Sequence, residues 1–145
     1  SAYKVAAHRH TPEIEQTLSK LAGQDATITF VPHLLPVNRG ILSTIYAHLK
    51  DGVTEQQLRD AYEQAYQNEH FVRVMAPGQA VNINHVRCSN YCDIQLYVDE
   101  HTRLLIVTSV IDNMVKGAAG QAIQNMNLLF GLDETAGIDM IPPAF

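Results

Sequence analysis

Two histidines flank an arginine near the start of the chain, in the segment His8-Arg9-His10. Imidazole is the side chain whose ordinary pKa lies nearest neutrality, so it suits proton transfer at physiological pH. The guanidinium between the two histidines is a permanent cation that can bind a phosphate or a carboxylate. The segment therefore predicts a catalytic site that combines acid–base chemistry with anion binding.

A helix is predicted to begin directly after this segment. Thr11 fits an N-cap, Pro12 the first helical position and Glu13 the first turn, where it could also orient one imidazole. The N-terminus of a helix presents unpaired N–H groups and a positive dipole end, which favour a nearby anion. The alternative is that surface histidines happen to adjoin a helix cap. A His-x-His pair can also bind zinc, but no further ligand stands at a recognisable spacing, so we predict no metal site.

Two further segments contain candidate binding residues. Arg39 ends a proline-containing loop, where it could either point into a cleft or be an ordinary surface residue. Ser89 and Asn90 lie between Cys88 and Cys92, just before a predicted strand. The C-x3-C spacing is typical of neither a redox motif nor a zinc knuckle, so we expect core packing for Cys92 and a nucleophilic role for neither cysteine.

The stretch from residue 112 to residue 122 joins a predicted strand to the last predicted helix. Gly117 and Gly120 enclose two alanines and form a smooth face that a backbone or a planar ligand could approach closely. Glycine inside a helix costs about 1 kcal/mol relative to alanine, so two of them suggest a compensating contact. The pattern is not G-x-G-x-x-G and predicts no phosphate cradle. Taken alone, it favours tight helix packing.

The elements that must position these residues follow an α+β pattern. Strands are predicted at 3–7, 26–31, 41–49, 71–75, 92–98 and 103–111, and helices at 12–22, 58–66 and 114–130, with Thr54 and Gln57 as a capping box. The nearly apolar strand 103–111 predicts a central strand covered on both faces. We expect a mixed, largely antiparallel sheet with helices packed against it, and a tail, 133–145, that packs as an arm.

Composition limits the class of protein. A length of 145 residues fits a single domain over 1–145, and 46% hydrophobic against 17% charged residues predicts a packed core. A net charge of −5 without a basic run argues against nucleic-acid binding. No apolar stretch reaches the roughly 18 residues that would span a membrane, and no signal peptide is recognisable. Two cysteines suggest a reducing, cytoplasmic compartment.

Taken together, these segments resemble the C-terminal domain of the N-acetyl-gamma-glutamyl-phosphate reductase family of arginine biosynthesis, over essentially the whole chain. The matching stretches are 8–14, 39–42, 89–93 and 112–122, with Asn127 and Gly131 in the last helix. In this order and spacing they are specific. One departure is Cys88, where the family would have glycine. The implied fold is that of the C-terminal domain of glyceraldehyde-3-phosphate dehydrogenase-like enzymes.

The resemblance implies a partner domain that these residues do not contain. In the family, an N-terminal Rossmann domain binds NADP and carries a nucleophilic cysteine. No G-x-G-x-x-G and no such cysteine motif occurs here, so the chain alone is expected to be inactive. The family reaction reduces a small-molecule acyl phosphate, N-acetyl-glutamyl 5-phosphate, to N-acetyl-glutamate 5-semialdehyde with NADPH, and a homo-oligomer is expected.

Roles for single residues follow from the same resemblance. His8 is the candidate acid/base that activates the cysteine and protonates the thiohemiacetal oxygen. His10 is the reserve candidate, and Glu13 the orienting group. The implied binding residues are Arg9, Arg39, Ser89 and Asn90 for the substrate, and Asn113 and Gly117 for NADP(H).

Two alternatives remain open. A sister reductase acts on a carrier-linked aminoadipyl or glutamyl phosphate, and a basic carrier-facing patch would favour it; this acidic chain shows none. A non-catalytic binding or dimerisation module of the same fold is the other alternative, and such a module would not need His-Arg-His at a helix start.

Overall fold

A computed structural model describes residues 1–143, which fall into two compact units, Ser1–Asn38 and the described residues from Arg39 onward. The first unit contains helix α1, His10–Ala22. The second contains β1 (Ile41–His48), α2 (Glu55–Tyr66), β2 (Val72–Val74), a 3-10 turn (Ile83–His85), β3 (Cys92–Asp99), β4 (Leu104–Ile111), a π-turn (Val115–Ala119) and α3 (Gly120–Leu129). Among the described residues, no helix is both long and apolar enough to cross a membrane.

Helix α1 begins earlier than the sequence predicts. Its N-cap is Arg9 and not Thr11, so Thr11 and Pro12 lie inside the first turn. Proline is tolerated there because the first N–H groups of a helix have no partner within the helix. The helix ends at Gly23, which adopts a left-handed φ of 67°, and this end was predicted.

The two strands predicted at 3–7 and 26–31 are not formed. Lys4 and Ala6 both have positive φ, which is incompatible with a strand. In the second segment, the amides of Ala26 and Ile28 donate to side chains of α1, Ser19 Oγ at 2.9 Å and Glu15 Oε1 at 3.1 Å. The amide groups of this stretch are thus satisfied by the helix and not by a neighbouring strand. In place of these strands, the first unit contains an isolated antiparallel bridge between Ala2 and His33.

The second unit is built on a mixed, largely antiparallel sheet with the strand order β1-β4-β3-β2. β4 pairs antiparallel with both β1 and β3, and β2 pairs parallel with β3. The predicted α+β fold is confirmed, as are the strands at 41–49, 71–75, 92–98 and 103–111, each within a few residues. A hairpin turn after Asp99 joins β3 to β4.

Helix α2 covers one face of this sheet. Thr54 and Gln57 form the predicted capping box, in which Thr54 Oγ1 accepts from the Gln57 amide and Gln57 Oε1 accepts from the Thr54 amide. Behind the cap, apolar side chains of α2 pack on a buried cluster from β3 and β4: Ile94, Leu96, Leu105 and Val107, joined by Leu58, Tyr62, Tyr66 and Cys92. The predicted core role of Cys92 is confirmed, and burial raises the pKa of its thiol.

The other face of the sheet is open only in part within the described residues: Asp93, Gln95 and Val110 on this face are buried, whereas the residues towards β1 are exposed. Tyr46, Ile106 and Tyr97 are direct cross-strand neighbours and therefore share this face. Tyr46 is 64% exposed, and Leu42, two residues before Thr44 on the same side of β1, is 52% exposed. β4 is central in the sheet as predicted, and on this second face it is buried at Val110 but only partly covered at Ile106 and Thr108.

The last helix departs most from its prediction. Instead of one helix over 114–130, a π-turn at Val115–Ala119 precedes α3. Ala118, within that turn, has a non-helical φ of −150° and ψ of −105°. The apolar residues at 115, 118, 119, 122, 123 and 126 recur at helical spacing and predict a buried stripe on this helix. The face that α3 buries is instead formed by Gly120, Gln124 and Asn127, and Ile123 and Met126 of the stripe stay exposed. The tail packs beside α3 through the buried Ile138, and residues 144–145 lie outside the described range.

Candidate functional site

The two predicted catalytic histidines lie against each other at the start of α1. Their ring centroids are 4.7 Å apart at an interplanar angle of 70°. The His8 ring is also edge-on to Tyr3 at 5.5 Å and to Phe30 at 5.2 Å, so aromatic rings hold it on three sides. His8 is half-buried, whereas Arg9 and His10 are exposed. The arrangement gives one positioned imidazole and one that is accessible to solvent.

The surroundings of His8 oppose a positive charge on its ring. Partial burial lowers the pKa of His8, and electrostatic interaction with His10, Lys4 and Arg9 lowers it further. Glu13 acts in the opposite direction with a smaller effect. The negative charge of Glu13 thus lies close enough to His8 to influence the pKa of its ring. Among the described residues, however, no hydrogen bond joins Glu13 to either histidine.

Arg39, a predicted anion contact, is paired with a carboxylate that the sequence analysis did not single out. Its Nη2 donates to Asp112 Oδ1 at 3.0 Å, and its Nε lies 2.8 Å from Oδ2 without alignment for a hydrogen bond. Asp112 is 1% exposed and also accepts from the amides of Cys88, at 2.6 Å, and Met114, at 2.8 Å. Burial raises the pKa of Asp112, but the hydrogen bonds from Arg39 and these amides outweigh it, and the net shift is downward. Arg39 is therefore a largely compensated cation.

Asn113 lies at the same end of the sheet, where β4 ends beside the start of β1. Its Oδ1 accepts the amide of Gly40 at 2.6 Å, which fixes the orientation of the side-chain amide. The Nδ2 group is left with two N–H donors. A nicotinamide carboxamide presents an oxygen that needs such a donor, so the residue fits the predicted cofactor contact.

Gly117, in the π-turn, and Gly120, at the start of α3, differ in whether a side chain would fit at their position. A Cβ at Gly120 would lie 2.5 Å from Asn90 Oδ1 and 2.7 Å from Val115 Cγ1, closer than real Cβ contacts. A Cβ at Gly117 would have its nearest neighbour, Ile111 Cδ1, at 3.5 Å, an ordinary contact. Close packing therefore explains Gly120, and packing within the described residues does not explain Gly117.

Ser89 and Asn90 are both completely buried. Ser89 Oγ donates to the Val86 carbonyl at 2.7 Å, and Asn90 Nδ2 donates to Gln124 Oε1 at 2.9 Å. Contact with a substrate stays a prediction for both residues, and this geometry supports a positioning role instead. Asn90 Oδ1 is buried without a hydrogen-bond partner among the described residues.

A buried polar network around α3 was missed by the sequence analysis. Gln124 Oε1 accepts from Asn90 and also from Lys116 Nζ at 2.6 Å. Asn127 Nδ2 donates to the carbonyls of Glu134 and Ala136, at 3.1 and 3.0 Å, and so holds the tail. Three polar or glycine residues at helical spacing, 120, 124 and 127, were the available signal, but an apolar stripe lies on the same helix and suggested the opposite face.

The candidate residues form two groups, one in each unit. His8, Arg9, His10 and Glu13 lie around the first turn of α1. Arg39, Asn113 and Gly117 lie at the end of the sheet where β1 starts and β4 ends. Ser89 and Asn90 are buried nearby in space, since the preceding residue, Cys88, donates its amide to Asp112.

Comparison with known proteins places this chain among semialdehyde dehydrogenases. Residues 1–113 match the family model described as semialdehyde dehydrogenase, dimerisation domain. The chain is 57% identical over 144 residues to an N-acetyl-gamma-glutamyl-phosphate reductase of Brachyspira hyodysenteriae, covering 99% of this chain and 41% of that protein. It is 50% identical over 145 residues to the reductase of the same name from Clostridium kluyveri, covering 100% of this chain and 42% of that protein.

A solved structure shares the fold at much lower identity. The aspartate semialdehyde dehydrogenase II of Vibrio cholerae matches with a TM-score of 0.62 and 18% identity, covering 85% of this chain and 37% of that chain. The chain thus spans about two fifths of the length of the curated relatives it matches.

Proposed function

The chain belongs to the semialdehyde dehydrogenase family through the dimerisation domain of that family, and from this premise we propose that it is the substrate-side domain of an N-acetyl-gamma-glutamyl-phosphate reductase. The observation that carries the proposal is 57% identity along 99% of the chain to a reductase of that name. The adjacent rings of His8 and His10, on either side of Arg9, support the proposal because they could provide its acid–base chemistry.

The proposed reaction forms N-acetyl-glutamate 5-semialdehyde and phosphate from N-acetyl-glutamyl 5-phosphate, on a cysteine of another domain. His8-Arg9-His10 supplies the imidazole chemistry and a cation for the substrate's phosphate or carboxylate. Arg9 is the stronger anion contact of the two predicted arginines, because the charge of Arg39 is compensated by Asp112. Glu13 remains the proposed orienting group.

NADPH, when bound, supplies the hydride for this reduction. Its adenine and phosphates belong, on this proposal, to a separate Rossmann domain. Asn113 would donate from Nδ2 to the carboxamide oxygen, with its own oxygen held by Gly40. Gly117 would leave room for the nicotinamide half of the molecule, since its missing side chain is not required by contacts within this chain.

A homo-oligomer is proposed to form through the open face of the sheet, with a second copy of the chain as the occupant. The family match to a dimerisation domain covers residues 1–113 and so includes all four strands. The face presents Leu42, Tyr46 and Tyr97, the aromatic and aliphatic composition that is typical of the centre of protein interfaces.

A chimera tests the proposed activity. The part of the Brachyspira hyodysenteriae reductase that this chain does not cover is joined to Ser1, and phosphate-dependent reduction of NADP by N-acetyl-glutamate 5-semialdehyde is measured. We expect turnover from the chimera and none from this chain alone. A chimera that carries both His8→Ala and His10→Ala is the matched control, and it should fold and bind NADPH but not turn over.

The alternatives give different outcomes in the same assay. Activity on a carrier-linked aminoadipyl or glutamyl semialdehyde, without activity on the free N-acetyl compound, would indicate the sister reductase. A chimera that is folded and binds NADPH, yet has no activity on either substrate, would indicate a non-catalytic module.

A further inference from the structure

The backbone amide that begins α1 fixes the hydrogen position on the ring of His8. The His10 N–H donates to His8 Nδ1 at 3.2 Å. An amide nitrogen can only donate, so Nδ1 must carry a lone pair and no proton. A neutral imidazole with a free Nδ1 carries its proton on Nε2.

The position of His8 relative to the helix makes this state favourable. His10 is the first residue of α1, and its N–H is one of the groups that have no partner within the helix. The His8 carbonyl accepts the next amide, that of Thr11, at 3.1 Å. His8 thus accepts the first two amides of the helix, one with its ring nitrogen and one with its backbone oxygen, and protonation of Nδ1 would direct two N–H groups at each other. The positive end of the helix dipole also disfavours an imidazolium.

The groups packed around the ring agree with a neutral state. Within the part of the chain that the structure describes, Lys4 and Arg9 bring positive charge near His8, and Glu13 brings a smaller opposing effect. Tyr3 contacts the ring edge-on, as does the apolar Phe30. Desolvation together with these cations lowers the pKa of His8.

Building on the proposed function, we infer that His8 is a neutral hydrogen-bond donor, through Nε2–H, to the oxygen of the reacting carbonyl, and that His10 rather than His8 transfers the proton. A neutral ring with its proton on Nε2 cannot act as a base at that nitrogen. It also cannot give that proton away, because imidazolate is too unstable. It can stabilise negative charge that develops on an oxygen, as neutral imidazoles at helix N-termini do in other enzymes.

His10 has the properties that proton transfer requires. It is exposed, and its ring makes no hydrogen bond within residues 1–143. In the proposed step the N–H bond of the His10 imidazolium breaks and an O–H bond forms at the substrate oxygen that His8 holds. His10 is left neutral and regains a proton from solvent. The 4.7 Å between the two ring centroids allows both rings to face one substrate atom.

Ring nitrogen shifts measure the His8 state directly. In 15N-labelled protein, long-range 15N–1H correlation spectra distinguish protonated from unprotonated ring nitrogens. At neutral to mildly basic pH we expect an unprotonated Nδ1 and a protonated Nε2 for His8, both in this chain and in the chimera. His10→Ala keeps the amide donor and removes the second ring, so it should leave this pattern unchanged. A protonated Nδ1, or an even mixture of the two tautomers, would overturn the inference whether or not the chimera is an active reductase.

Activity measurements separate the two roles. In the chimera, His8→Asn retains a side-chain N–H donor and His8→Ala does not, so His8→Ala should lose roughly 10²–10³-fold in kcat and His8→Asn distinctly less. The imidazole limb of the pH–rate profile should persist in His8→Asn and disappear in His10→Asn. Loss of that limb in His8→Asn but not in His10→Asn would refute the division of roles. If the chimera is inactive on every substrate, the proposed function fails, and the ring nitrogen shifts still decide the state of His8.

Discussion

The buried carboxylate of Asp112 determines how the neighbouring Arg39 can act. From sequence, Arg39 could have been a free cation in a cleft. In the structure its guanidinium donates to Asp112, whose second oxygen accepts the Cys88 amide and whose first also accepts the Met114 amide. The carboxylate thereby joins the start of β1, the loop before β3 and the turn after β4. The negative charge of Asp112 is compensated within the protein by Arg39 and by the two amides, and Asp112 in turn compensates most of the positive charge of Arg39.

Asp112→Asn is expected to destabilise the protein by about 2–3 kcal/mol at neutral pH, since it removes a charge-assisted hydrogen bond to a buried acceptor. The pKa of Asp112 is lower in the folded state, so its stabilisation is present above the unfolded pKa and is lost as pH falls through the folded pKa. Urea denaturation from neutral pH down to about pH 3 should show the difference between variant and parent shrinking towards acid.

An exposed ion pair is the control for that experiment. Glu100 lies 3.4 Å from Arg103 and is largely exposed, so Glu100→Gln should change the free energy of unfolding by less than about 0.5 kcal/mol. Equal losses for the two variants would mean that burial of Asp112 adds nothing to its ion pair.

At the scale of elements, the parts of the fold with local signals were predictable. The capping box of α2, the glycine end of α1 and the alternating pattern of β3 are each encoded within a few neighbouring residues. The predictions that fail concern segments whose structure is decided by tertiary contacts with other parts of the chain. Residues 26–31 have the composition of a strand, but Glu15 and Ser19 of α1 take the amides of Ile28 and Ala26.

The predicted buried face of helix α3 is wrong for a related reason. Its periodic apolar residues predicted a buried stripe, but the buried positions are Gly120, Gln124 and Asn127, because Asn90 and the tail supply hydrogen-bonding partners on that side. Periodicity shows that a helix has two faces and does not show which face meets the rest of the chain. Of the candidate site, the histidine pair was predictable from residue type alone. The pairing of Arg39 with Asp112, 73 residues away, was not.

Gly117 in the π-turn and Gly120 at the start of α3 give a matched pair of substitutions. Gly120→Ala should destabilise the protein by about 1–3 kcal/mol despite the better helix propensity of alanine, because the new methyl group meets Asn90 and Val115. Gly117→Ala should leave the free energy of unfolding within about 1 kcal/mol of the parent. In the chimera, Gly117→Ala should instead raise the KM for NADPH. Thermal unfolding and steady-state kinetics check the pair, and a tolerated Gly120→Ala would contradict the packing argument.

The capping box of α2 makes an independent contribution to stability. Thr54→Ala removes the acceptor for the Gln57 amide and should cost about 1 kcal/mol of unfolding free energy. Thr54→Ser keeps a hydroxyl acceptor and should lose much less. Urea denaturation at constant pH compares the two, and equal losses would show that the methyl group of Thr54, and not its hydroxyl, supports the helix.

At the scale of the whole molecule, the second unit exposes more apolar surface than a domain that acts alone would need. One face of its sheet is covered by α2, and the opposite face presents a row formed by Tyr46, Ile106 and Tyr97 on three adjacent strands. α3 likewise exposes Leu129 and Phe130. Two separate exposed apolar surfaces are consistent with a domain that has two partners, a second copy of itself and another domain of the same enzyme.

The sheet face can be tested by adding one charge to it. Tyr46→Glu places a carboxylate in the row formed by Tyr46, Ile106 and Tyr97. It should weaken the dimer and raise its dissociation constant at least tenfold, because burying an unpaired charge is costly. Ile45→Glu is the matched control: Ile45 is the neighbouring residue, is also exposed, and points to the opposite face of the same strand. Sedimentation velocity over a concentration series distinguishes the two. Dissociation by Ile45→Glu alone would assign the interface to the other face, and a parent chain that is monomeric at all concentrations would exclude self-association through this sheet.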